Sequence, residues 1–255
     1  MKLTNTLSIL LVVFSFNLFA QEIPTSKPTE PIETDRPDQT ETPAIVPKGM
    51  FQMENGFSFE RADRHSKSFI LPSSLMKYGV NENFELRLIT EFSIDETHGT
   101  KISGLNPVLI GFKAKLADEK GIWPKTSIIA HLMIPDLASE KLKMTYYAPR
   151  FRFTMQHTLT DKINLGYNLG AEWDGENPEP KFIYTLTGGF SLSEKWGCYV
   201  ELYGFAPQKD KSDHRCDGGF TYLISDNVMI DASGGFGISE NAPDYYTALG
   251  FSFRL

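Results

Sequence analysis

The sequence predicts an all-β protein: a transmembrane antiparallel up-and-down β-barrel of about 12 strands, with a Pro-rich tail in front of it. Three observations predict it. From Met50 onward, apolar and polar residues alternate with period two in segments of about ten residues, the length of a tilted membrane-crossing strand. The connections alternate between short turns and longer polar loops, as they do in outer-membrane barrels. One face of the strands is rich in charge, and charge against lipid at mid-depth costs about 2–4 kcal/mol for Arg or Lys, so that face must look inward.

The chain of 255 residues opens on MKLTNTLSILLVVFSFNLFA, a lysine, a short apolar run and a small residue before Gln21, which is the layout of a cleavable secretory signal peptide over 1–20. No later stretch is long and apolar enough for a spanning helix. Without Lys2 the chain carries 24 basic and 32 acidic residues, a net charge of −8. That balance, and the lack of a basic patch with interleaved aromatics, excludes nucleic acid as a partner.

Residues 21–48 hold Pro24, Pro28, Pro31, Pro37, Pro43 and Pro47, so they cannot donate a continuous hydrogen-bond ladder. They are expected either to hang in the periplasm or to fold back into the lumen. In the second case Asp35, Arg36 and Asp38 would pair with wall residues such as Arg152, Lys113 or Glu85, with Pro37 keeping the segment extended. Residues 49–255 form the barrel. Its strands are expected over 49–61, 67–78, 83–93, 106–117, 124–135, 146–159, 163–174, 181–192, 196–206, 214–224, 228–239 and 244–255. In the first, Phe51, Met53, Phe57 and Phe59 oppose Gln52, Glu54, Ser58 and Glu60. Longer polar loops include SIDETHGTKISG and PQKDKSDHR. The terminal GFSFRL places apolar residues at the last and third-last positions, like the signal that outer-membrane proteins present to the barrel assembly machinery.

The inward face predicts a lumen lined by Lys77, Glu85, Arg87, Glu91, Lys113, Lys115, Arg150, Arg152, Glu172, Glu201, Tyr203, Asp231 and Arg254. Both signs of charge are present. Such a wall can hold a field across a pore that favours polar or zwitterionic solutes, or it can pair internally and close the barrel. Twelve strands lie between the filled small barrels and the open porins, so both readings stand. Turn arithmetic about Asp161 pairs Arg150 with Glu172 and Leu159 with Ile163. The same rule pairs Gly189 with Tyr199, the aromatic covering the glycine, and Thr221 with Asp231. Cys198 and Cys216 then lie too far apart to bridge.

No catalytic or metal-binding residues and no cofactor are expected. A twelve-stranded barrel can be a phospholipase with Ser and His, but His157 has no Ser or acid beside it on its strand. His65, His98, His131 and His214 lack metal-ligand spacing.

TDRPDQTETP, VPKGMFQMENGF and LMKYGVNENFELRL together resemble the outer-membrane "MetA-pathway of phenol degradation" transporter family. The resemblance rests on Asp35 to Asp38, Gly49 to Glu54 and Lys77 to Arg87, with Lys77 where an Arg is usual, and it runs from about residue 33 to the end. It implies a porin-like outer-membrane transporter of a Gram-negative cell, sitting among outer-membrane lipids and passively passing small polar or aromatic solutes. The alternative is a non-conducting structural or enzymatic barrel plugged by side chains and the tail.

Overall fold

The computed structural model describes residues 30–255; the expected signal peptide and the first part of the tail lie outside the described residues. Thirteen strands follow the tail. They are β1 (Phe51–Arg61), β2 (Ser66–Asn81), β3 (Phe84–Thr97), β4 (Thr100–Leu105), β5 (Val108–Ala117), β6 (Lys125–Ile134) and β7 (Ala148–Thr160). The rest are β8 (Ile163–Glu172), β9 (Lys181–Ser191), β10 (Trp196–Pro207), β11 (Asp213–Ser225), β12 (Val228–Gly237) and β13 (Tyr245–Arg254). Every neighbouring pair is antiparallel, and β1 pairs with both β2 and β13, closing the ring.

The ring has 12 positions, because β4 and β5 share one. Phe92–Thr97 of β3 pair with β4, and Phe84–Ile89 of the same strand pair with β5. The segment expected as the loop SIDETHGTKISG is therefore a continuation of the β3–β4 hairpin, turning at His98–Gly99. Its charge misled the sequence reading. A strand that projects beyond the bilayer has no lipid to face, so it keeps Asp95, Glu96 and Lys101 without penalty. Lys67–Glu96 (3.2 Å) and Ser68 Oγ donating to Asp95 (2.6 Å) tie it to β2.

The two faces of the wall are inverted relative to a water-soluble protein. Leu86, Ile110, Leu169, Leu202, Phe220 and Leu249 are exposed, whereas Glu85, Lys113, Thr154, Asn168 and Ser252 are fully buried. With period-two alternation, lipid takes the first set and the lumen the second. Aromatic residues such as Trp196 and Tyr222, with rings 4.8 Å apart, sit toward the short-turn rim, as in the girdles of such barrels.

The expected β7–β8 register holds from Arg150↔Glu172 to Thr158↔Asn164. It then slips at a bulge, so Ile163 faces Thr160 and not Leu159. Gly189 does oppose Tyr199, and Thr221 opposes Asp231. The Tyr199 ring, however, leans over Gly219 on the other side, and Asn164 takes the space above Gly189. Cys198 faces Phe220 while Cys216 faces Leu202, and both thiols are free.

Candidate functional site

The lumen has two unlike walls. On β2–β7 stand Lys77, Arg87, Lys113, Arg150 and Arg152. On β10–β12 stand Glu201, Asp217 and Asp231. Glu201 and Asp217 are direct cross-strand partners on one face, so two carboxylates meet there with no cation between them. Across this space runs the tail.

The tail enters and leaves at the same rim. Ile32 N–H donates to Asp226 O (2.8 Å) in the β11–β12 turn. At the other end Gly49 N–H donates to Gly79 O (2.7 Å) beside the β2–β3 turn, and β1 follows. These are short turns, which face the periplasm in bacterial outer-membrane barrels. Between them the chain loops up into the lumen.

Adjacent residues of an extended chain point to opposite sides, and the tail's charges are ordered to match. Asp35 turns to the basic wall. Its carboxylate accepts from Lys113 (2.8 Å), Arg87 (2.8 Å) and Lys77 (3.1 Å). Arg36 turns the other way and pairs with Asp231 at 2.9 Å. The guanidinium lies over Gly56 and Gly250, which oppose each other across the β1–β13 seam. A Cβ at Gly56 would come within 2.1 Å of Arg36 Nη1, so a side chain there would push the guanidinium aside. Farther along, Glu41 returns to the basic wall, 2.6 Å from Arg87 and 3.7 Å from Arg152.

Beside these cations stand Glu54 of β1, Glu85 of β3 and Glu172 of β8, and the tail adds Asp35 and Glu41 to them. Lys77–Glu54 (2.5 Å) and Arg87–Glu85 (3.0 Å) are the wall's own pairs. A buried cation without a partner is costly, so this wall requires acids from the tail.

Wall side chains also bond the tail backbone. Asn168 is reciprocal: its Oδ1 accepts from Glu41 N (2.8 Å) and its Nδ2 donates to Glu41 O (2.9 Å). Glu201 accepts from Gln39 N and Thr40 N, both at 2.7 Å. Lys113 donates to Thr42 O (2.8 Å), Ser127 to Pro43 O (2.7 Å), and Glu85 accepts from Val46 N (2.8 Å). The prolines thus cost the tail nothing, because side chains meet the groups a ladder would have used.

The two tail aspartates titrate in opposite directions. Burial pushes Asp35 up, but Lys113, Lys77 and Arg87 together hold it well below the usual carboxylate range. Among the described residues no cation pairs with Asp38. Burial pushes it up to about 7, and the Asp217 charge adds to the rise.

A cavity lies on either side of the tail. One, of about 310 Å³, is lined by Glu60, Glu91, Tyr203, Arg215 and Tyr246, toward the long loops. The other, of about 230 Å³, is lined by Asn164, Gly189, Ser191 and Gly197, toward the short turns. Arg36 and Pro37 line both.

The remaining residues named from sequence lie as follows. Lys77, Glu85, Arg87, Lys113, Glu201, Tyr203, Asp231 and Arg254 are buried. Glu91 is half-buried and accepts from Ser73 (2.9 Å). Lys115 pairs with the loop residue Asp118 at 2.9 Å, at the short-turn rim. Arg150 opposes Glu172, but the ion contact of Glu172 is with Arg152, at 3.9 Å. Arg254 donates to Asn227 (2.9 Å) beneath the tail's entry. Sequence reasoning missed Glu54, Asn168, Asp217, Thr40 and Glu41. Glu54 and Asp217 had a signal, since both fall on the charged side of an alternating strand. His131 is buried and accepts from Arg87 Nε (3.2 Å).

Solved structures share this architecture. An outer membrane channel from Pseudomonas putida F1 matches with a TM-score of 0.66 at 11% identity, over 83% of this chain and 97% of that one. The NanC porin matches with a TM-score of 0.52 at 11% identity, over 80% and 100%. The translocator domain of autotransporter NalP from Neisseria meningitidis matches at 0.50 and 9% identity, over 82% and 90%. No curated protein sequence matches this one. A closed barrel of this fold with an apolar exterior places the protein in the outer membrane. A family model covers residues 34–255, and the chain belongs to that family, described as "Putative MetA-pathway of phenol degradation".

Proposed function

We propose that this protein is a passive outer-membrane channel for small polar or aromatic solutes, held shut at rest by residues 33–48 of its own chain. One observation carries the reading: Arg36 and Pro37 line both lumenal cavities, the one toward the long loops and the one toward the short turns. The tail is held by hydrogen bonds and ion pairs, which exchange with water, and its loop is anchored at one rim. The protein is not a catalyst on this reading. Its described histidines are engaged elsewhere, as in His157 with Tyr167 (3.2 Å) and the stacked pair His65–His98. The exposed Leu249, Phe251 and Leu255 of the closing strand would serve the barrel assembly machinery.

Deleting residues 21–40 tests the channel. Conductance of the refolded variant in planar bilayers should rise several-fold over the full chain. Unchanged conductance, with the tail equally protease-sensitive in folded and unfolded protein, would sink the plug.

A further inference from the structure

The tail behaves as a bound ligand of the lumen, and its contacts describe what the lumen accepts. Arg87 joins two carboxylate positions with one guanidinium: Nη1 holds Asp35 at 2.8 Å and Nη2 holds Glu41 at 2.6 Å. Lys77 and Lys113 complete the lower position, and Arg152 the upper. The side chains of Lys77, Arg87 and Lys113 are between 0% and 2% exposed. This is a built site, since it fixes three cations around two oxygens at hydrogen-bond distance.

If the tail withdraws, two positive charges of the basic wall lose their partners in a narrow lumen. An anion replaces them more favourably than a neutral molecule, and a carboxylate reproduces the planar two-oxygen geometry that an Arg fork prefers. On the facing wall Glu201, Asp217 and Asp231 are acids, and its cation Arg215 is already paired with Glu60 and Asp213, so the free cations lie on the basic side. Resting on the channel reading above, we propose that Arg152, Arg87, Lys113 and Lys77 form a descending binding path for small organic carboxylates, whose places Asp35 and Glu41 hold at rest.

The test uses the full chain with Asp35→Asn and Glu41→Gln together, refolded into detergent and into liposomes. Benzoate, benzyl alcohol and benzylamine serve as probes of one shape and three charges. Calorimetric titration should show benzoate binding to the double variant, with benzyl alcohol and benzylamine at least about tenfold weaker, the scale of one charge-assisted contact. Adding Lys113→Gln, or the milder Arg152→Gln, should weaken benzoate by roughly tenfold and leave benzyl alcohol unchanged. In liposomes the double variant should pass benzoate faster than benzylamine. In the unaltered protein, benzoate should speed proteinase K cleavage within 33–48, and benzyl alcohol should not.

Equal binding of the three probes, or benzoate binding indifferent to both wall substitutions, overturns the proposal even if the barrel conducts. If benzoate binds and depends on Lys113 but no variant conducts, the carboxylate site stands and the channel reading falls.

Discussion

The two walls of the lumen grip the same tail by different chemistry. On β2–β7 charge meets charge, with Asp35 and Glu41 set among Lys77, Arg87, Lys113 and Arg152, and Glu85, Lys113 and Ser127 add bonds to the backbone of residues 42–46. On β10–β12 most of the grip is carboxylate to backbone, with Glu201 taking two successive N–H groups, and one ion pair, Arg36–Asp231. The first wall selects the tail by its side-chain charges. The second recognises mainly an extended main chain and would hold many sequences. Specificity of docking therefore lives on the basic side.

The largest difference between the walls should appear on neutralising their central carboxylates. Asp35→Asn leaves three buried cations sharing one lost charge, and breaking such a cluster costs about 3–5 kcal/mol. Glu201→Gln keeps an acceptor for the backbone and should cost about 1.5 kcal/mol. Proteinase K cleavage within 33–48 of the folded barrel measures both. Equal protection in the two variants would erase the distinction.

A pH profile sharpens it. Asp35, held below its free pKa, favours docking when ionised, so its contribution is present above the ordinary carboxylate range and is lost as pH falls toward its depressed pKa. Asp38 does the reverse. Raised to about 7 in the docked tail, it binds a proton that the free tail has released, so docking weakens as pH rises from the usual carboxylate range to about 7. Protection should peak at mildly acidic pH. Asp38 shares its site with Glu201 and Asp217, so Asp38→Asn should shrink the fall on the alkaline side and leave the acid side in place; an unchanged alkaline fall would contradict the assignment.

The smallest effect is steric. Gly56→Ala intrudes on the Arg36 guanidinium, the flexible end of a partly exposed side chain, and should cost about 1 kcal/mol of docking. Gly188→Ala, whose Cβ would meet only the Phe190 ring at 3.5 Å, is the control and should leave protection unchanged.

Much of the barrel was legible because lipid imposes period two on every strand that it touches. Arg150↔Glu172 could be read from a turn and simple arithmetic. The rule lost force wherever lipid stopped: at the projecting β3–β4 hairpin, at the bulge that moved Ile163 to Thr160, and in the lean of Tyr199 toward Gly219. Asp35 and Arg36 were legible as docking residues only because charge in a proline-rich tail has few other uses. Their partners were half right. Lys113 does hold Asp35, but Asp231, Lys77 and Arg87 complete the grip, and neither Asn168 nor Thr40 stands out in sequence. Polar residues that satisfy a backbone leave no periodic trace.

The common rim of entry and exit makes the plug a tethered ligand. Because Gly49 joins the tail directly to β1, the tail can withdraw from the lumen without threading through the barrel and cannot drift away. Its effective concentration then lies in the millimolar range, as for short flexible linkers. A free solute competes against that standing concentration as well as against the contacts themselves. On the channel reading, opening should therefore scale with the concentration of competing solute.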